Sequence, residues 1–154
     1  MSEYRVSVSW RRTSAGFTYD EYNREHTWSF DAGIQVQASA APAFRGKTDC
    51  VDPEEAFVAS LSSCHMLTFL AIASRKRLVV DSYEDDAVGF MEKNSQGKLA
   101  VTRVVLHPRI RFSGSEIPSR EQLTKLHDQS HHDCFIANSV LTTVTIEPVE
   151  VDAA

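Results

Sequence analysis

Asp52-Pro53-Glu54-Glu55-Ala56-Phe57-Val58-Ala59-Ser60-Leu61-Ser62-Ser63-Cys64-His65, continued by Met66-Leu67-Thr68-Phe69-Leu70-Ala71-Ile72-Ala73-Ser74-Arg75, is the stretch whose reading decides the fold. Asp52 is a good N-cap, Pro53 sits where a missing N–H does no harm, and Glu55 can reach back as in a capping box. A helix is predicted from Pro53 to Arg75. At 1.5 Å per residue its 23 residues span roughly 35 Å. Apolar residues surround its axis, which predicts a buried central helix. A membrane span is the rival reading. Ser60, Ser62, Ser63, Cys64 and His65 interrupt the apolar run at its middle and argue against it.

Working outward, Glu3 to Trp10 places Tyr4, Val6, Val8 and Trp10 on one side, the period of a half-buried strand. Thr13 to Asn23 reads as a loop. His26 to Phe30 and Ile34 to Ala38 read as strands joined by the turn Asp31-Ala32-Gly33, completing an antiparallel meander. Ala40 to Val51 is a connector. Beyond the helix, Leu78 to Met91 and Leu99 to Phe112 read as two long strands around a turn at Asn94 to Lys98. Ser119, with Gln122 three residues on, opens a second helix to about Ser130. Val140 to Val149 reads as a closing strand. Strands and helices segregate, so the class is α+β. The 154 residues suit one domain, 1–154, with no visible repeat or linker.

The formal net charge of −5 and the scattered basic residues argue against a nucleic-acid binder. Met1 to Trp10 alternates polar and apolar residues and does not read as a signal peptide, so the cytosol is the expected compartment. The three cysteines, Cys50, Cys64 and Cys134, are too few for a secreted disulfide framework. Cys50 sits in a polar connector and reads as inert. Cys64 and Cys134 stand in segments that set histidine beside cysteine: Ser60 to His65, and His131-His132-Asp133-Cys134-Phe135-Ile136-Ala137-Asn138-Ser139. Taken alone, a free cysteine in a core helix is a small hydrophobe.

The Asp-Pro-Glu-Glu helix start, the Ala- and Ser-rich helix and Cys64 at its middle resemble the central helix of the OsmC/Ohr family. Cys134 after a later helix resembles that family's second cysteine, and the element order is similar over most of the chain. The resemblance implies antiparallel sheets packed on the long buried helix, in an intertwined homodimer. It also implies a thiol peroxidase that reduces organic hydroperoxides and, as a further substrate, hydrogen peroxide. Cys64 would attack the peroxide and become a sulfenic acid, Cys134 would condense with it to a disulfide, and a dithiol reductant would restore the pair. No cofactor and no metal enter that scheme. The thiolate is the nucleophile, and a guanidinium steadied by a carboxylate would favour it. By the resemblance the carboxylate is Glu54 and the guanidinium Arg24, with Arg11, Arg12 and Arg45 as substitutes.

Helix geometry adds one constraint. Glu54 and Cys64 are ten residues apart in one helix, roughly 15 Å along its axis, so a site using both takes Glu54 from a second chain. Phe135 stands where the Ohr branch carries proline, and Cys64-His65 also departs from that branch. His65 reads as a hydrogen-bonded core or interface histidine. Met66, Phe69, Phe135 and Ile136 are candidates for an apolar substrate pocket, though packing is the commoner role for such residues. Two rivals stay open: a metal-binding module using Cys64, His65, His131, His132 and Cys134, whose spacing is poor for zinc, and a small-molecule carrier without peroxidase activity.

Overall fold

A computed structural model describes residues 1–150. Its residues divide into two compact units, Met1–Ala56 and the chain from Phe57 on.

In the first unit, β1 (Val6–Trp10), β2 (His26–Phe30) and β3 (Gln35–Ala38) form the expected antiparallel meander, ordered β1-β2-β3. Val8 pairs with Trp28, and Trp28 with Val36. The half-buried face expected for β1 is not formed in the single chain. Every residue of the strand is exposed, Val8 at 62%. Alternation predicts which side of a strand is apolar, while burial of that side needs a covering element. Past β3, Ala38 bridges Val51 in parallel, and Ser39 is fully buried with its hydroxyl accepting the Lys47 N–H at 3.2 Å. Gly46 passes so close to Ala40 that a Cβ would stand 1.4 Å from its carbonyl oxygen, so only glycine fits.

Helix α1 runs Pro53–Arg75, the predicted bounds. Its capping box is present: the Glu55 N–H donates to Asp52 Oδ1 at 2.8 Å, and the Asp52 N–H to Glu55 Oε2 at 3.2 Å. At the far end Leu78 N–H reaches Ala73 O and Arg77 N–H reaches Ser74 O, a Schellman closure with Arg77 in the left-handed region at φ 61°. The helix is not buried on all sides as expected. Only a stripe is covered: Leu61, His65, Phe69, Ile72 and Ala73. Ala59, Ser63 and Leu67 stand on the opposite side, exposed, with Leu67 at 60%. One chain supplies cover for one face of a helix, and an all-round apolar composition does not create the second cover.

In the second unit, the two long strands expected at Leu78–Met91 and Leu99–Phe112 are each broken in two. They become β4 (Val79–Asp85), β5 (Val88–Lys93), β6 (Leu99–Leu106) and β7 (Pro108–Ser113). The breaks face each other: Asp85 Oδ1 accepts the His107 N–H at 2.6 Å, His107 Nδ1 meets Asp86 O at 2.9 Å, and Arg109 pairs with Asp86 at 2.7 Å. These bonds form a shared corner at which the chain changes sheets. β4 pairs with β7, while β5 pairs with β6. The last strand, β8 (Thr143–Ile146), is shorter than expected and joins β6 in parallel, with Val144 opposite Val104. Between them α2 (Arg120–Asp133) starts at the Ser119–Gln122 capping box and runs to Asp133 rather than Ser130.

Two clusters form the core of this unit. Phe69, Ile72 and Ala73 of α1 pack on Leu126 of α2, with Tyr83, Ile110 and Phe112 around them. Leu61 packs on Val104 and Leu106. Gly89 lets α1 come near, since a Cβ there would meet Val58 at 2.5 Å. The α1 helix is long and apolar enough, by length and composition, to cross a membrane. Its mid-helix polar groups have protein partners instead: Ser62 donates to Asp85 and His65 bonds His127.

Candidate active site

Cys64 and Cys134 are seventy positions apart in sequence and meet in the second unit, Sγ to Sγ 2.7 Å. A formed disulfide measures about 2.05 Å, and both sulfurs here are free thiols. Cys64 comes from the middle of α1 and Cys134 is the C-cap of α2. The two helices are held side by side by the Phe69–Leu126 core and by a stacked histidine pair. His65 Nε2 and His127 Nδ1 lie 3.0 Å apart, with the rings 10° from parallel.

The two sulfurs differ in environment. Cys134 is 1% exposed. Burial foremost, then its hydrogen bond to Cys64, pushes its thiol up to about 11, against a smaller opposing effect of the Ala137 N–H. At neutral pH Cys134 therefore keeps its proton and donates it toward Cys64. Cys64 is half-buried and lines a groove of about 600 Å³ with Ser63, Leu67, Phe135 and Ile136; Arg75 and Asp133 are its charged members. The groove wall is mostly apolar, and Phe135 projects from it at 82% exposure. Of the expected pocket residues, Phe135 and Ile136 line this groove. Phe69 is core, and Met66 is half-buried on the helix.

The turn after Cys134 is tightly built. The Ile136 N–H points at Cys64 Sγ (3.5 Å) and the Ala137 N–H at Cys134 Sγ (3.4 Å). Asn138 donates its side-chain amide to both His132 O (2.8 Å) and Cys134 O (3.0 Å). Ser139 Oγ donates to Phe135 O at 2.7 Å. Sequence reasoning did not single out Asn138. Its signal was an Asn-Ser pair just past a helix end, a position where side-chain amides cap free carbonyls.

The other named residues lie in the first unit. Arg24 is buried, 9% exposed, with its guanidinium 3.7 Å from the centre of the Tyr22 ring. It donates to the carbonyls of Tyr22 and, at 2.6 Å, Tyr19. Its Nε has no partner, and among the described residues Arg24 makes no ion pair. Of its substitutes, Arg11 is exposed, Arg12 donates to Ser14 and Ala15 carbonyls, and Arg45 pairs with Asp20 at 2.6 Å. Glu54 is half-buried in the first turn of α1. The Cys50 thiol faces the Asp49 carboxylate at 3.8 Å, and burial followed by the Asp49 charge raises it.

Of the five residues of the metal reading, Cys64 and Cys134 meet, but the histidines do not join them in a ligand set. His65 is spent on His127, His132 bonds Asp133 at 2.8 Å, and among the described residues no group of three or more His, Cys, Asp and Glu side chains is arranged to hold a metal.

No curated protein matches the chain. It is similar to the solved structure of an OsmC-like protein of unknown function from Vibrio cholerae, at 51% identity and a TM-score of 0.93, covering 97% of this chain and 100% of that one. More distant structures share the fold. The organic hydroperoxide resistance protein of Elizabethkingia anophelis is 18% identical with a TM-score of 0.66, covering 96% of this chain and 95% of that one. The organic hydroperoxide resistance protein OhrB of Bacillus subtilis is 18% identical with a TM-score of 0.69, covering 96% and 98%. The profile of the family described as OsmC-like protein matches residues 46–149, two thirds of the sequence, and with the shared architecture this means that the chain belongs to the OsmC-like family.

Proposed function

We propose that this protein is a two-cysteine thiol peroxidase of the Ohr type that reduces organic hydroperoxides in the cytosol. The observation that carries the reading is the 2.7 Å approach of two chemically unequal sulfurs, one lining an apolar groove and the other sealed behind it. The Cys64 thiolate attacks the terminal oxygen of the hydroperoxide. The O–O bond breaks, the alkoxide leaves and takes up a proton as the alcohol, and the sulfur becomes a sulfenic acid. Cys134 attacks that sulfur and water departs, leaving a disulfide. A dithiol reductant restores both thiols in two exchange steps and is itself oxidised.

The test is a thiol titration. Of three thiols in the reduced protein, one equivalent of an organic hydroperoxide should consume two and leave Cys50. A count that stays at three would favour a carrier without redox chemistry.

We infer a homodimer of single-domain chains, each spanning residues 1–154. The apolar face of β1 and the exposed side of α1 are uncovered in one chain, and large uncovered apolar surface marks an interface. Arg24 is the activating guanidinium in this reading, because it alone of the four candidates is buried and has an unpartnered nitrogen. Glu54 of a second copy would steady it. Mixed dimers of Cys64→Ser and Glu54→Ala chains should then recover up to about a quarter of wild-type activity from two inactive parents, the share expected when one composite site in half of the dimers is intact. Subunit exchange without recovery would exclude a shared site.

A further inference from the structure

The turn Cys134–Ser139 does more than end a helix. Helices finish with carbonyls lacking partners, which water or a side chain must satisfy. Here Asn138 takes two of them, His132 O and Cys134 O, and its own N–H donates to Cys134 O as well, at 3.0 Å. Both side-chain contacts are carbonyl oxygens, so the amide group facing them has to be the NH₂ end. Further along the turn that Asn138 closes, the Ile136 N–H points at Cys64 Sγ and the Ala137 N–H at Cys134 Sγ.

We propose that Asn138 is a positioning residue for the reaction: by clamping this turn it holds the Ile136 N–H against Cys64 Sγ, where it stabilises sulfur as an anion before attack. The assignment rests on the peroxidase reading for its purpose and on the hydrogen-bond geometry for its existence. A hydrogen bond from a fixed N–H strengthens when its acceptor gains charge, and an amide tied into a closed turn does not have to reorganise to provide it. Ser139 Oγ donates to Phe135 O, the carbonyl of the same planar peptide that carries the Ile136 N–H, so it supports the clamp from the far side of that peptide.

Iodoacetamide alkylation of Cys64 in the full chain, followed by mass spectrometry from pH 5 to 10, tests this without any peroxide present. Asn138→Asp keeps the size of the side chain and sets oxygen against both carbonyls. It should slow Cys64 alkylation at pH 7 about tenfold, the scale of one hydrogen bond to a charged group, and leave the rate at high pH unchanged. Asn138→Gln should recover part of the loss, and Ser139→Ala, which frees the carbonyl of the peptide carrying the Ile136 N–H, should likewise slow alkylation at pH 7. A profile for Asn138→Asp that overlays the wild type would overturn the assignment. If that variant does not fold, the wild-type amide resonances decide. The Ile136 N–H signal should move with the pH dependence of Cys64 alkylation and stop moving in Cys64→Ser, and a signal flat in both would equally overturn it. A wild type that alkylates as described but consumes no hydroperoxide would instead overturn the peroxidase reading alone.

Discussion

On the proposed function, Cys64→Ser should remove hydroperoxide consumption altogether, whereas Cys134→Ser should halt the cycle after one turnover and leave a sulfenic acid on Cys64. The contrast follows from the two environments. Serine at 64 has no anion to offer at neutral pH, because an alcohol lacks the acidity of a thiol, so the step that breaks the O–O bond is lost. Several orders of magnitude in rate go with it, as is usual when a covalent nucleophile is removed. Serine at 134 leaves that step intact. Cys134 keeps its proton while the pair is reduced, since burial and its bond to Cys64 push it up to about 11, so it does not compete for the peroxide. In the proposed cycle it would enter only once Cys64 is oxidised and no longer accepts its proton. The check is stopped-flow peroxide consumption with dimedone trapping and mass spectrometry. Turnover by the Cys64 variant at the wild-type rate would end the assignment of the nucleophile. A Cys134 variant that turned over normally with a dithiol would remove the intramolecular disulfide from the cycle.

The second large effect is acid instability. His65 and His127 are stacked and almost fully buried. Burial is the main cause that lowers both from the ordinary 6.5 to about 4, and for His65 the neighbouring His127 and then His131 add to it while Asp85 opposes. Each ring is thus neutral in the folded protein over a range where the unfolded chain would carry a proton. Their full contribution to stability is present above pH 6.5 and is lost as pH falls from 6.5 through 4. Two such groups give a slope of about 2.7 kcal/mol per pH unit within that window. Over the whole window the loss is roughly 3 kcal/mol per ring, a large part of the 5–15 kcal/mol typical of a domain. Urea unfolding at pH 7.5, 6.5, 5.5 and 5.0 should show the decline before ordinary carboxylates begin to titrate. His127→Phe, which can stack on Phe69, should lower the slope by about half. Equal stability at pH 7.5 and 5.0 would refute the prediction. The same rings join the two helices that carry the cysteines, so the pairing of the sulfurs should be lost over the same acid range.

What sequence alone could deliver was set by how local the signal is. The bounds of α1 rest on Asp52, Pro53 and Glu55 at one end and a charged residue at the other, and the start of α2 rests on Ser119 and Gln122; each signal is complete within a turn of helix. The corner of the second unit was not legible. The alternating pattern runs through Asp85-Asp86-Ala87 and again through His107, and what breaks each strand is its bonding to the other, some twenty residues away. Burial of α1 was overestimated because composition reports what a surface would prefer, not what lies against it. The two cysteines could be paired only through family resemblance, since neither segment contains the other's address. Asn138 stayed out of view because its role depends on which way a turn faces its neighbours.

The short parallel strand β8 follows the Cys134 turn almost at once and is bonded to β6 in the core, while α2 fixes the turn from its other end. The loop bearing the second sulfur is therefore anchored fore and aft. In the proposed cycle, oxidation would then have to be accommodated by a small displacement of this anchored loop, without a swinging arm or a melted helix. A reducing partner would find nearly the same outline in both states and would have to sense the bond by reaching it.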